Sequence, residues 1–326
     1  MTVRARIVGC GGYLPERVVT NDQLGAAFGI ETSDAWIVDR TGIRQRHIAA
    51  ADETASSMAT AAARVALDRA GLLPAAVEAI IVATATPDSA FPATAVRVQH
   101  ALGITTGFAF DLSAACTGFV YALGMADALI RSGQVRCALV IGTEVYSRIL
   151  DWTDRGTCVL FGDGAGAVVL TAGEGDDTSG DRGILSTHLH SDGRFGDILL
   201  VDGGAGSTGG TGRLRMAGRE VFRHAVSKLA AVVDEALAAN GLGHADLRWL
   251  VPHQANRRII DAMGKKLGLP PERVVVTVDR HANTSAASIP LALAEACGDG
   301  RIESGDLVVM EAIGGGLTWG AALARF

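Results

Sequence analysis

Three residue types in this chain could share one reaction: a cysteine, a histidine and an asparagine, far apart in sequence. Cys116 lies in Asp111-Leu-Ser-Ala-Ala-Cys116-Thr-Gly-Phe-Val-Tyr-Ala-Leu123. There an apolar run, Phe108-Ala-Phe, gives way to a helical stripe of Phe119, Val120, Leu123, Ala126, Leu129 and Ile130. Ser113, Ala114, Ala115 and Gly118 are small enough to let a substrate or another backbone reach the sulfur. A thiol at a helix N-terminus meets unpaired N–H groups and the positive end of the helix dipole. The sequence therefore predicts a pKa below the usual value of about 8.5 and a thiolate nucleophile. Taken alone, a cysteine there is more often a small core residue. His253 follows a strand pattern in Val251-Pro-His253-Gln-Ala-Asn256. Asn283 sits among small polar residues, His281-Ala-Asn283-Thr-Ser-Ala-Ala-Ser288, ahead of a second helix. Loops at strand ends beside helix starts are where active-site groups gather in α/β folds.

The elements that would position these residues need a large core, and the composition supplies one. The chain has 326 residues, 48% of them hydrophobic, which suffices for one large α/β domain or two medium halves without disulfides. Net charge is -6 with no basic tract, so nucleic acid is not an expected partner. The five cysteines, Cys10, Cys116, Cys137, Cys158 and Cys297, are scattered, with no C-x-x-C pair. That pattern is neither a disulfide framework nor a zinc site and points to the cytoplasm. No metal site is expected. The N-terminus lacks a signal-peptide pattern and no apolar run reaches membrane-spanning length. Gly9-Cys10-Gly11 lacks the third glycine and the helix of a dinucleotide loop.

Along the chain, helices are expected over Thr54 to Gly71, Ala93 to Leu102, Arg219 to Asn240 and Arg257 to Leu267. Strands are expected at Val77 to Ala83, Cys137 to Gly142, Leu247 to Val251, Arg273 to Val278, Leu307 to Glu311 and Trp319 to Phe326. Cys158 to Leu170 reads as a glycine-interrupted strand pair. Two Gly-rich stretches, Thr171 to Asp181 and Gly203 to Gly212, read as loops, the first as the midpoint. The two halves repeat. In one, a strand ends at Asp111 and is followed by Cys116, an Ala/Leu helix, Arg131-Ser-Gly133 and a strand. In the other, a strand ends at Asp279 and is followed by Asn283, an Ala/Leu helix, Glu303-Ser-Gly305 and a strand. The expected fold is α/β: two similar halves, 1–172 with the cysteine and 173–326 with His253 and Asn283, related by a pseudo-twofold axis. That arrangement places Cys116 and Asn283 at equivalent helix starts, converging on one site.

Four motifs in order, those around Cys116, His253 and Asn283 together with Gly314-Gly-Gly-Leu-Thr-Trp-Gly320, closely resemble β-ketoacyl-[acyl-carrier-protein] synthase III. The likeness extends over the whole chain, including Trp36-Ile-Val-Asp-Arg-Thr-Gly-Ile-Arg44 and Phe161-Gly-Asp-Gly-Ala-Gly166. The resemblance implies the thiolase fold, layered α-β-α-β-α. It implies that Cys116 takes an acyl group from acetyl-CoA or another short acyl-CoA. Malonyl-acyl-carrier protein then loses CO2, and the carbanion attacks the acyl thioester. His253 and Asn283 would stabilise the enolate oxygen, and the N–H groups of Cys116 and Gly315 the acyl oxygen. Both carriers are substrates, so no cofactor is implied. Trp36, Arg40 and Arg155 match the CoA contacts. Arg258 matches the carrier-protein docking residue, with Gln254, Ala255, Asn256, Arg257, Arg223, Lys265 and Lys266 extending that surface. Phe91, Tyr146 and Phe161 match the acyl pocket, Phe91 reaching from the second subunit of a homodimer. Tyr146, Ile313 and Leu317 depart from the pattern of the best-known relatives, which leaves primer length open.

Rival readings follow from the same motifs. A degradative thiolase would carry a second cysteine near the C-terminal glycines, and Ile313-Gly-Gly-Gly316 has none. Elongating condensing enzymes use two histidines where this chain has His253 and Asn283. Condensing enzymes of secondary metabolism keep Cys, His and Asn and stay open, as does a non-catalytic acyl-CoA-binding homologue.

Overall fold

A run such as Ala79-Ile-Ile-Val-Ala83 has no polar alternation and suits a strand buried on both faces. The structure, a computed structural model describing residues 2–175 and 182–326, builds two sheets from such strands. The first holds β1 (Thr2–Tyr13), β4 (Ala79–Ala83), β5 (Phe108–Leu112), β6 (Cys137–Glu144) and β7 (Gly164–Gly175) in the order β1-β7-β6-β4-β5. The second holds β8 (Gly183–Ser191), β11 (Trp249–Pro252), β12 (Leu307–Gly314) and β13 (Thr318–Arg325) in the order β11-β12-β13-β8. Two ribbons complete the strands: β2 (Val18–Thr20) with β3 (Gln45–His47), and β9 (Leu199–Val201) with β10 (Leu214–Met216).

The sheets share one pattern. β4, β5 and β6 run parallel, then β7 and β1 antiparallel. β11 and β12 run parallel, then β13 and β8 antiparallel. A parallel bridge from Val274 to Leu250 stands where the first sheet has β5. This is the thiolase fold, two halves about a pseudo-twofold axis.

The ten α-helices among the described residues are α1 (Asn21–Phe28), α2 (Asp34–Thr41), α3 (Ala55–Ala70), α4 (Thr94–Ala101), α5 (Gly118–Arg131), α6 (Arg155–Cys158), α7 (Gly218–Ala239), α8 (Arg257–Lys266), α9 (Val278–His281) and α10 (Ser288–Gly298). α3 and α4 cover the outer face of the first sheet through Met58, Ala62, Ala66, Ala95 and Val98. α5 and α10 lie between the sheets, with Phe119, Leu123, Ile289 and Leu293 in one continuous core. α7 and α8 cover the second sheet through Leu229, Val233, Ile260 and Met263. The two central helices therefore start side by side, at the same end of both sheets.

Several expectations need correcting. Arg273 to Val278 is not a strand: Pro271–Arg273 forms a 3₁₀ turn, Val274 makes the single bridge, and α9 begins at Val278. The β-branched valines satisfied the strand pattern, but the chain turns back to bring Asn283 to the site. The region expected as a strand pair begins on the last residue of α6, a helix capped by Asp154, and its strand starts only at Gly164. The 172/173 boundary falls inside β7, which pairs with β1 as far as Gly175. Part of the proposed Thr171 to Asp181 loop is thus strand, and residues 176–181 lie outside the described residues. The repeat register also shifts. The 3₁₀ turn Ala115–Thr117 before α5 matches Ser285–Ala287 before α10. Each opens on a non-glycine residue with positive φ, Ala115 at 46° and Ser285 at 49°. The counterpart of Cys116 is therefore Ala286, and Asn283 stands just ahead of the matching turn.

Candidate active site

The nucleophile turn is held from the opposite half. Thr117 Oγ1 donates to Thr318 O at 3.0 Å, and Thr318 Oγ1 donates to Ala114 O at 3.0 Å. The glycine at 314 is required by close approach: a Cβ there would lie 2.7 Å from Cys116 N and 3.1 Å from Thr117 N. A side chain would push the sulfur off its mark.

His253 directly follows β11, its N–H bonded to Glu311 O at 2.8 Å. Its Nδ1 lies 2.7 Å from Ser288 Oγ, at the start of α10. The Gln254 N–H donates to the same oxygen at 3.4 Å, which leaves the hydroxyl proton for Nδ1. That assignment puts the ring proton on Nε2. Burial pushes the imidazolium pKa down to about 3, so the ring is neutral at physiological pH.

Asn283 is fixed from the first half, by Asn283 N to Leu160 O at 2.9 Å and Gly162 N to Asn283 O at 3.0 Å. Its Oδ1 accepts from Ser285 N at 2.8 Å. With the oxygen committed, the carboxamide has its NH2 left to donate. Backbone strain concentrates here: Ala115, Ala282 and Ser285 are the non-glycine residues with positive φ among the described residues. Each such conformation costs on the order of 1–3 kcal/mol and persists because the surroundings impose it.

Cys116, His253 and Asn283 all line one cavity of about 760 Å³. Its inner wall includes Tyr146, stacked on Phe161 with ring centroids 4.8 Å apart, and Ile313. Gly315 lines it beside Cys116, as do Ala255 and Asn256. The outer wall is apolar: Leu199, Val201, Leu214, Met216, Val221 and Phe222. Trp36 and Arg40 stand at this same cavity. The guanidinium carbons of Arg40 and Arg155 lie 4.5 and 4.6 Å from the Trp36 ring centroid.

One electrostatic expectation is overturned. Burial pushes the Cys116 thiol up to about 12, despite lowering by Ser285 and by its own backbone N–H. Cys116 is 5% exposed, and it sits in a 3₁₀ turn ahead of α5, not in the first turn of that helix. Loss of hydration outweighs the dipole, so the resting group is a thiol. Gln254 is also misassigned as a docking residue. It is fully buried, donates to Pro252 O and Val275 O, and accepts from Thr277 N and Val278 N. It is a strut between two loops. Asn256 caps α8 through Ile259 N at 3.1 Å. Arg257, Arg258, Arg223, Lys265 and Lys266 are exposed, with Arg257 paired to Asp261 and Arg258 to Asp39. Phe91 is 85% exposed and does not line this chain's own cavity. Sequence reasoning did not single out Ser285, Ser288 or Thr318 for the site. The small-polar run of residues 281–288 was the available signal for the two serines.

A buried thiol, a neutral imidazole donor and a carboxamide meeting in one cavity between the halves of a thiolase fold define a condensing enzyme of that superfamily. Family models described as 3-oxoacyl-[acyl-carrier-protein (ACP)] synthase III match residues 110–193, and its C-terminal part residues 237–326. The β-ketoacyl-[acyl-carrier-protein] synthase III of Acidiphilium cryptum is 70% identical over 323 residues, covering 99% of each chain. That of Paramagnetospirillum magneticum is 65% identical over 325 residues, covering 100% of each. The crystal structure of the synthase III from Aquifex aeolicus superposes with a TM-score of 0.92 at 47% identity, covering 99% of this chain and 100% of that one. The chain belongs to the β-ketoacyl-[acyl-carrier-protein] synthase III family.

Proposed function

We propose that the chain condenses acetyl-CoA, or another short acyl-CoA, with malonyl-acyl-carrier protein, releasing CO2 and initiating fatty acid synthesis. The observation that carries this reading is the opening of Cys116, His253 and Asn283 into one cavity. Cys116 attacks the acyl-CoA thioester and CoA leaves. In the second half-reaction, charge builds on the malonyl thioester oxygen as CO2 departs. Nε2–H of His253 and the NH2 of Asn283 are the donors for that oxygen, each worth about 3 kcal/mol of barrier. The neutral ring favours this role, because a donor that needs no proton from solvent works across the physiological range. The N–H groups of Cys116 and Gly315 serve the acyl oxygen.

Trp36, Arg40 and Arg155 form the CoA head-group contact at the rim. Arg258, with Arg257, Arg223, Lys265 and Lys266, forms the patch for the acidic carrier protein. The active form is a homodimer. In support, β5 is an open sheet edge carrying Phe108, exposed and stacked on the partly buried Phe110, and Phe91 is exposed and lines no part of this chain's own cavity. The reaction needs no cofactor or metal and takes place in the cytoplasm, in keeping with five free cysteines. No helix among the described residues is long and apolar enough to cross a membrane.

The test is intact mass after incubation with acetyl-CoA. The protein gains one acetyl group, and Cys116→Ser abolishes the gain. Absence of an adduct on the unmodified protein defeats the condensing reading in favour of a binding protein.

A further inference from the structure

Two buried acids that the reaction described above does not use bracket Tyr146 through its neighbours in the chain. Glu144 ends β6 and is fully buried. Its carboxyl accepts from Thr86 Oγ1 at 2.6 Å, from Thr84 Oγ1 at 3.3 Å and from Ala85 N at 3.1 Å. Thr86 Oγ1 in turn accepts from Val145 N at 2.8 Å. One hydroxyl therefore clasps the loop of residues 84–86 to the residue just before Tyr146. Asp163 is also fully buried. It accepts from Ser147 N at 2.9 Å and Ser147 Oγ at 2.6 Å, on the residue just after Tyr146, and from Ala49 N at 2.8 Å. Tyr146 and Ala85 line the cavity that holds Cys116, whereas Glu144, Thr86, Ser147 and Asp163 do not.

A carboxylate taken out of water is costly unless hydrogen bonds answer its charge. Here the answering donors lie on the segments that carry the two wall residues. Hydrogen bonds to an ionised acceptor are about twice as strong as neutral ones, so these acids hold both segments firmly. Tyr146 is itself buried and stacked on Phe161. How far its ring reaches into the cavity is then set by the backbone at 145–147.

We propose that Glu144 and Asp163 are positioning residues for the acyl primer: through Thr86 and Ser147 they hold the Tyr146 turn at a set distance from Ala85, and so limit the size of the acyl group that Cys116 accepts. This deepens the condensing reading above and rests on it. With the clasp closed the wall cannot yield, and a branched chain is penalised relative to acetyl. With the clasp open the wall gives way to the larger group. Neither acid lines the cavity, so the effect falls on the discrimination between primers. One methylene's worth of room in an apolar pocket changes kcat/KM by about 10- to 200-fold.

The test measures the second-order rate constant for Cys116 acylation by acetyl-, butyryl- and isobutyryl-CoA, by quenched-flow intact mass. Thr86→Val keeps the side-chain shape and removes the hydroxyl. It raises the isobutyryl-to-acetyl ratio by about 10-fold, and Thr86→Ser, which keeps the hydroxyl, restores the original ratio. Glu144→Gln places a donor where the carboxylate accepted and shifts the ratio in the same direction. Asp163→Asn does so from the other side of Tyr146, and carries the test should the first two variants fold poorly. Tyr146→Leu shifts the ratio by itself, and Thr86→Val added to it shifts the ratio no further, because the ring it acts through is gone. A merely structural role would slow all three primers together. An unchanged ratio in Thr86→Val and Asp163→Asn therefore overturns the proposal, as does full additivity of Thr86→Val with Tyr146→Leu. If none of the three primers acylates the unmodified protein, it is the condensing reading that fails, and the proposal falls with it.

Discussion

Ser288 is the residue whose removal best separates the two half-reactions. It holds the His253 ring through Nδ1 at 2.7 Å, in a site where both residues are buried. In Ser288→Ala the ring loses that partner. The proton is then free to move to Nδ1, which leaves Nε2 as an acceptor facing the cavity. An enolate oxygen needs a donor there, so this tautomer is inactive in decarboxylation. Losing a buried hydrogen bond and leaving its partner unsatisfied costs about 1–3 kcal/mol. At 1.36 kcal/mol per factor of ten, the decarboxylation rate falls by about 5- to 150-fold. Acylation of Cys116 does not use Nε2 as a donor and falls far less. The assay measures both steps on one preparation: acetyl uptake by intact mass, and CO2 release from malonyl-acyl-carrier protein. Ser288→Thr, which keeps the hydroxyl, restores decarboxylation in part. Decarboxylation at the unmodified rate in Ser288→Ala, or an equal fall in both steps, would refute the tautomer argument.

Three other outcomes are expected. Glu311 is fully buried, its Oε2 has no partner, and burial raises its carboxyl to about 8. The folded state therefore holds a proton that the unfolded chain releases above about 4.3, and stability from this group falls as pH climbs from there to about 8. Glu311→Gln should be the more heat-stable protein at pH 8, with the gap in Tm closing toward pH 5; a gap that widens in acid contradicts this sign. Trp36→Ala removes the ring under Arg40 and Arg155. It should raise KM for acyl-CoA by about 10-fold with little change in kcat, and a kcat effect alone would place Trp36 elsewhere in the reaction. Tyr146→Leu empties part of the pocket wall beside Phe161. Primer preference should shift from acetyl- toward butyryl- and isobutyryl-CoA, and an unchanged ratio of kcat/KM values would show that Tyr146 does not set primer length.

Much of the architecture was legible because it rests on periodicity and capping. Helices α3, α4, α7 and α8 begin and end within a residue or two of their sequence boundaries. α3, for example, starts after the Thr54 capping box and stops at Gly71 with φ 65°. The parts that failed were those where local preference and tertiary need disagree. Val274-Val-Val276 has strong strand character, but the chain leaves the sheet after one bridge to deliver α9 and Asn283. Positive φ at Ala115, Ala282 and Ser285 was invisible, because nothing in an alanine or serine announces a left-handed backbone. Thr117 and Thr318 tie the turn across the two halves through contacts 201 residues apart in sequence.

The sequence by itself singled out the groups proposed for the chemistry: a sulfur, an imidazole and a carboxamide, the sulfur and the carboxamide in matching stretches of a duplicated pattern. Only the tertiary structure decided their protonation, because desolvation depends on what the rest of the chain lays over them. Burial makes the thiol a thiol and the imidazole neutral, against the dipole argument available from sequence.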